Sequence, residues 1–506
     1  MPMREVVRKL RAYEKGQALP RFSTKHVGYS KDPIHVAFVR LSGETHPWAV
    51  GWIIDGKRNF SFAVDGRRFD QVREMLHDFA DDLLQYFRVA GVTWDAIDLD
   101  NLPGLGEHPQ LWLPAASHLD MLHYLSYAYW RSVLTDDNKD DMTAFARLCG
   151  HLFRESSYPG QQLVCDAARV LRDLYVFPAD DSSLGNVNAA LTWIGPGESF
   201  EDRVKSARAS SAHGLGISLD ADVENPFHDL FDAHKEKPVR NFETRIGEVL
   251  EQEINLRLDA SLAAYEIATS DPRKTNVGAE VLLKDSLGRY WFDFQRAERK
   301  LSESNGEPVF TPHPETDHHG SAAASKFYQL NAANNKLLPT LIHDDRELLL
   351  ESISEGRSVK GRIVQVKVEG TRSKTISWVI EAIASDEFRL SESDNLVPIG
   401  SSGHNMKPRL IEFIDDTVVR IELEFMGRKT IAIETGLRLK PENESWTGEQ
   451  IVLVPSDSSG MDVTASQGVW KSKSGIGAWL THSKPVRSPD PAVLTDVSQI
   501  EGGVDL

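Results

Sequence analysis

The segment "HPETDHHG", residues 313–320, places three histidines and two carboxylates within eight positions. Such side chains bind zinc or iron, but a metal centre needs about three ligands that rigid elements hold in place. Here the donors follow one another in a loop, and the prolines and acids around them are equally typical of a helix entry. We therefore interpret the segment as a capping loop and expect no bound metal or other cofactor. The alternative is a metal site formed by His313, Asp317 and His318.

A second candidate site lies in "GAEVLLKDSLGRYWFDFQ", where two apolar runs flank the turn-like "SLG" and predict a β-hairpin over residues 279–295. One nuclease architecture places an acid on one strand and an acid-x-lysine on the next, so that two carboxylates hold Mg²⁺ beside a lysine. Glu280 and Asp293 occupy the acid positions, but Gln295 stands where the lysine belongs. Glutamine supplies no positive charge to a developing hydroxide. A metal-dependent nuclease is thus the alternative, and a packed hairpin is the prediction.

Basic residues gather in "SVKGRIVQVK" and "GTRSKT", which predict two strands of one hairpin. Alternate residues of a strand point to the same side, so a small basic patch is expected there. Phosphate binding draws its affinity from lysine and arginine, whereas 75 acidic against 57 basic residues make the long-range field repulsive. We expect weak, salt-sensitive contact with nucleic acid. The candidate residues are Lys360, Arg362, Lys367, Arg372 and Lys374.

Two further motifs that suggest chemistry are better explained as structural features. "GWIIDGK" has the spacing of a phosphate-binding loop, but Arg58 stands where Ser or Thr is required, and strands flank it. Asp55 and Gly56 instead predict a tight hairpin turn. The aromatic residues of "YLSYAYW", 124–130, are interleaved with Leu119, Leu122, Leu125 and Val133 and predict a helix core rather than a base-stacking surface.

The arrangement of apolar residues predicts an α+β, multi-domain chain. Short β runs over residues 33–66 form a meander before a long helix, and helical patterns dominate from there to about residue 270. In "NFETRIGEVLEQEINLRLDASLAAYEIA" an apolar stripe predicts a helix covered on more than one side. From about residue 355, short β runs predict a barrel or sandwich. The predicted domains are 1–115 (small α+β), 116–350 (mainly helical, with the hairpin), 355–485 (all-β) and a disordered tail, 486–506.

Composition limits the protein class and its compartment. The N-terminal "MPMREVVRKLRAYEKG" is charged throughout and lacks the apolar core of a secretory signal. No run approaches the ~20 apolar residues of a membrane span. Cys149 and Cys165 lie in apolar helical patterns and predict two buried free thiols. We expect a cytoplasmic protein without a membrane partner.

Three segments, "SSYPGQQLVCDAARVLRDLYVFPADD", "PETDHHG" and "HDDRELLLESISEGRSVKGRIVQVKVEG", resemble bacterial proteins encoded near helicase-like ATPases. This resemblance carries no functional residue to the chain. It implies a bacterial multi-protein assembly, of which antiviral defence is one example. Together with the weak catalytic signals and three predicted domains of unlike character, it predicts a non-catalytic scaffold or adaptor with a protein partner such as an ATPase or helicase, and with weak or indirect contact to nucleic acid. The alternatives are the nuclease and a sensor that binds a peptide or oligonucleotide through the C-terminal β domain.

Overall fold

A computed structural model describes most of the chain as mixed α/β. The chain divides into a first unit, Met1–Phe310 with Thr340–Glu355, and a second unit, Thr311–Pro339 with Gly356–Leu506. The described residues are 3–302 except 22, 90–102, 131–141, 179–184, 195–198 and 277, and 326–472 except 328, 335–336, 338–339, 343–344, 371–374, 384–388, 391–395, 399–400, 403–405, 416–417, 426–430, 434–437, 440–441, 443–446, 456–460 and 465–468.

A mixed five-stranded sheet of order β4-β3-β2-β5-β6 is the centre of the first unit. All six residues of β2 are buried, which is typical of a strand covered on both faces. Outside this sheet, β1 pairs with β7. The strands are β1 Leu19–Pro20, β2 Ile34–Val39, β3 Ala49–Ile54, β4 Lys57–Phe62, β5 Leu111–Leu113, β6 Val164–Asp166 and β7 Tyr175–Val176.

The predicted N-terminal meander is confirmed. Strands β2, β3 and β4 pair in antiparallel order. The turn between β3 and β4 uses Asp55 and Gly56 at φ +50° and +72°, the left-handed values that a two-residue hairpin turn needs. The parallel strands β5 and β6 were not predicted, because three-residue strands carry too little periodicity to be recognised.

Helices cover both faces of this sheet. Residues of α2, α3, α4 and α10 share a buried core with Phe38 and Val50, whereas α8 and α9 pack on the opposite face against Val39 and Ala49. The first of these cores draws residues from both sides of the predicted 115/116 boundary. The helices of the unit are α1 Met3–Lys15, α2 Phe69–Val89, α3 Ser117–Tyr129, α4 Met142–Ser156, α5 Ala167–Leu174, α6 Val187–Thr192, α7 Phe200–Ser211, α8 Ala221–Glu236, α9 Phe242–Ser270, α10 Gly278–Ser302 and α11 Arg346–Ser354.

The long helix α9 confirms the prediction from its apolar stripe. Ile246, Leu250, Ile254 and Leu258 are all buried, and α9 contacts β2, β3, α5 and α8. The helix crosses β3 at Gly51, where a Cβ atom would lie 2.1 Å from the Cγ2 atom of Ile254. The missing side chain therefore sets how closely the helix approaches the sheet.

The predicted hairpin over 279–295 is wrong, because these residues belong to the continuous helix α10. Ala279, Leu282, Leu283, Leu287 and Tyr290 are buried at helical spacing, and the helix packs on α4. Gly288 in "SLG" has open space around it and lies within the helix without a turn. The burial of one helical face outweighs the β propensity of the aromatic run.

The second unit contains the antiparallel β structure predicted after residue 355. Its main sheet has the order β10-β12-β13-β9-β8-β16 and curls so that β10 pairs with both β12 and β16. Fully buried Trp378 lies in its core. The predicted tail, 486–506, lies outside the described residues. The strands are β8 Val359–Glu369, β9 Thr375–Ile383, β10 Leu396–Pro398, β11 Ser401–Ser402, β12 Met406–Phe413, β13 Val418–Phe425, β14 Ile431–Ile433, β15 Arg438–Leu439, β16 Gln450–Pro455, β17 Met461–Thr464 and β18 Val469–Ser472.

Candidate interaction surface

Helix α1 attaches to the first unit mainly through its polar side. The Arg21 guanidinium donates to the Glu5 carboxylate at 2.6 Å. Arg8 donates to the Pro20 carbonyl at 3.3 Å and forms an ion pair with Glu347 of α11. Positions 5, 8 and 12 share one helical face, and Ala12 on that face is fully buried. Ion pairs and one small buried side chain are therefore among the contacts that hold the helix.

The opposite side of α1 is apolar and faces solvent. Val6, Val7, Leu10 and Tyr13 are 39%, 41%, 59% and 58% exposed. Positions 6, 10 and 13 follow the i, i+4, i+7 spacing of a single stripe, and residue 7 lies beside it. Tyr13 also touches the edge of the Phe200 ring, with 5.0 Å between ring centroids. A surface helix normally turns such a stripe towards the core, so α1 is inverted. We call Val6, Val7, Leu10 and Tyr13 the α1 stripe.

The charge beside the α1 stripe is opposite to that of the whole chain. Helix α1 carries five lysines and arginines and two glutamates, within a protein of net charge −18. Arg11 and Lys15 are both exposed and lie on the flank of the stripe beyond Val7, while exposed Glu14 lies between Leu10 and Val7. A basic rim thus borders an exposed apolar surface that also contains one acid.

The predicted nuclease acids are not brought together. Glu280 and Asp293 lie 13 positions apart in α10, which corresponds to about 20 Å along the helix axis. Gln295 lies beyond them near the end of the same helix. Glu280 is exposed, and its carboxylate lies 3.9 Å from the ammonium of Lys284 one turn later. The paired-carboxylate arrangement that the hairpin would have given is therefore absent from this helix, and the nuclease alternative stays an untested prediction.

The histidine-rich segment that includes His313, Asp317 and His318 lies outside the described residues. Asp345, farther along the chain, caps α11 by accepting from the backbone N–H groups of Glu347 and Leu348. Within the described ranges, no group of three or more His, Cys, Asp and Glu side chains has an arrangement suited to a metal ion.

The basic residues predicted to bind nucleic acid are interleaved with acids. Lys367 donates to Glu422 at 2.6 Å, and this hydrogen bond lowers the pKa of the Glu422 carboxyl. Arg362 is exposed and donates to the Gly448 carbonyl at 3.1 Å. Its cross-strand neighbour Glu381 accepts from Arg420 at 2.5 Å. Lys360 is also exposed, while Arg372 and Lys374 lie outside the described residues. The patch therefore stays a prediction, on a face where charges of both signs alternate.

A buried polar network in the first unit has the residue types of an acid–base site. The Nε2 atom of His213 lies 3.1 Å from the Glu253 carboxylate, and its Nδ1 atom lies 3.4 Å from that of Asp220. Fully buried Arg257 donates to Glu253 at 2.7 Å and to the Gly216 carbonyl at 2.8 Å. Both ring nitrogens of His213 thus face carboxylates, whereas a nucleophile–base pair needs a hydroxyl or thiol at one of them. The network fixes the loop between α7 and α8 onto α9.

Comparisons with known protein families, with curated proteins and with solved structures gave no match to this chain. Among the described residues, no helix has the length and apolar character to cross a membrane.

The α1 stripe was not predicted, although its spacing is visible in "VVRKLRAY". Apolar residues at i, i+3, i+4 and i+7 indicate an amphipathic helix. The sequence gives no sign that the apolar side would face solvent. That orientation depends on Arg21 and Glu347, which lie far away along the chain.

Proposed function

We propose that this protein is a non-catalytic adaptor that docks a protein partner on the α1 stripe. The observation that carries this proposal is the inversion of α1, whose polar side holds the helix to the body while four apolar side chains face solvent. Contiguous exposed apolar surface with a polar rim is characteristic of interaction sites, and a helical stripe is a common recognition element.

The proposal is non-catalytic because, among the described residues, the two candidate sites built from ionisable side chains are committed to structural contacts. Glu253 accepts from Arg257 and lies against one nitrogen of His213, Asp220 lies against the other nitrogen, and Glu280 pairs along its own helix. An ATPase or helicase of a bacterial nucleic-acid or defence assembly, the partner expected from the sequence, belongs to this proposal as the class to be sought first.

Site-specific photo-crosslinking of the intact chain in its native host tests the proposal. A benzoylphenylalanine replaces Leu10 of the α1 stripe or, as the matched control, Gln85, an exposed residue of α2. We expect irradiation to give a discrete heavier protein adduct from position 10 and none from position 85. Adducts from neither position, or the same adducts from both, would contradict docking through α1.

A further inference from the structure

We infer that the α1 stripe takes an amphipathic helix of a different protein, one whose apolar side chains are flanked by aspartate or glutamate. This inference rests on the proposed function and names the chemistry of the partner. The α1 stripe would pack against apolar residues at i, i+3 or i+4, and i+7 of the partner helix. Acidic residues beside them would meet exposed Arg11 and Lys15.

The dimensions of the surface fit one helix. The α1 stripe runs from Val6 to Tyr13, about 10 Å along the axis, or two helical turns. Two helices in contact lie about 8–10 Å apart, so side chains on the flanks of one reach those of the other. Since Arg11 and Lys15 border the stripe, a partner with acids at its flank gains attraction along the same two turns, and a partner with lysines there is repelled.

A second copy of this chain fits less well. Two α1 helices packed antiparallel about Leu10 are related by a twofold axis, which sets each flank against the same flank of the other copy. Arg11 would then lie beside its own equivalent across the axis. A parallel pair would set Arg11 against the side that carries Lys9. Both arrangements bring basic side chains together, whereas an acidic helix neutralises them.

An anionic membrane also fits less well. A bilayer presents negative charge to the whole side of the molecule that faces it, and the chain carries a net charge of −18. At long range the field of the whole chain therefore repels an anionic surface. A partner helix touches α1 alone and experiences mainly the local basic rim.

Fluorescence anisotropy with two synthetic helices tests the inference on the full-length protein. Both peptides carry leucine at i, i+3, i+4 and i+7, with glutamate on the flanks of one and lysine on the flanks of the other. We expect the glutamate peptide to bind at least tenfold more tightly than the lysine peptide. Val7→Ser with Leu10→Ser should weaken its binding at least tenfold, and Arg11→Glu with Lys15→Glu should reverse the preference between the peptides.

The matched control is Leu256→Ser, which removes a leucine of similar exposure, 43%, from α9 and should leave binding unchanged. Circular dichroism verifies that each variant keeps its helices. Equal binding of the two peptides would overturn the inference. Two other results would do the same: Leu10-dependent binding to phosphatidylserine vesicles without peptide binding, and a dimer abolished by Leu10→Ser. If the photo-crosslinking experiment still gave a protein adduct from position 10, any of these outcomes would leave docking through the α1 stripe in place. Only the acidic partner helix would then be rejected.

Discussion

His118 offers the sharpest test of the fold, because its hydrogen bonds fix one neutral form of the ring. Its Nδ1 atom accepts the backbone N–H of Phe38 at 3.1 Å, and its Nε2–H donates to the Leu215 carbonyl at 3.0 Å. The ring is fully buried in α3. Burial lowers the pKa of His118 to about 3. A proton on Nδ1 would break the bond from β2 and place a charge in the core.

The sign and size of the pH effect follow from these values. Below the ordinary histidine pKa of about 6.5 the unfolded chain binds a proton, while folded His118, with a pKa of about 3, stays neutral. The unfolded state therefore binds more protons between these values, and stability falls as the pH falls through this window. From pH 7 to pH 5, His118 alone lowers the free energy of unfolding by about 2 kcal/mol, since one group contributes about 1.4 kcal/mol for each pH unit below 6.5.

The assay is urea unfolding of the intact protein at pH 7 and pH 5, followed by tryptophan fluorescence. We expect His118→Gln to be less stable than the wild type at both pH values. Its unfolding free energy should, however, fall by about 2 kcal/mol less than that of the wild type from pH 7 to pH 5, because the glutamine side chain takes up no proton. His77→Gln on the exposed face of α2 is the control and should keep the wild-type difference. Equal pH differences for wild type and His118→Gln would refute the reasoning.

Three further predictions concern packing and burial. Gly51→Ala should cost about 1–3 kcal/mol in unfolding free energy, because its methyl group meets α9, and wild-type stability would show that α9 does not lie so close. Glu155→Gln should cost about 3 kcal/mol by leaving Arg289, which binds Glu155 through two nitrogens, without a buried counter-charge. A loss below about 1 kcal/mol in denaturant unfolding would contradict that contact. Burial raises the pKa of both cysteine thiols, so neither should react with Ellman's reagent at pH 8 until denaturant is added. Rapid reaction of the native protein would place a thiol at the surface.

The elements that the sequence predicts best are those with long, regular periodicity. Helix α9 and the β2–β4 meander were recognised because four stripe residues in one case, and an Asp-Gly turn in the other, carry the signal locally. Helix α10 was mistaken for a hairpin because "RYWFDFQ" has strand-like composition. The packing of α10 on α4 shows that the helical spacing of its apolar residues outweighs this strand-like composition.

The candidate surface was less predictable than the fold. The spacing of Val6, Leu10 and Tyr13 predicts an amphipathic helix, but not the side that meets the body. That choice depends on long-range ion pairs, among them Arg8 with a glutamate 339 residues away. The pairing of Glu280 with Asp293 assumed a chain reversal between them, and α10 continues as one helix through both positions.

The attachment of α1 has a mechanical consequence. Two ion pairs, Arg8 with Glu347 and Arg21 with Glu5, connect α1 to the first unit, and the four side chains are 26–36% exposed. Ion pairs so open to solvent contribute about 0–1 kcal/mol each. These ion pairs therefore contribute little to holding α1, and its amide hydrogens should exchange well before those of β2. A partner docked on the α1 stripe, as proposed, would have to overcome little ion-pair energy in order to tilt the helix.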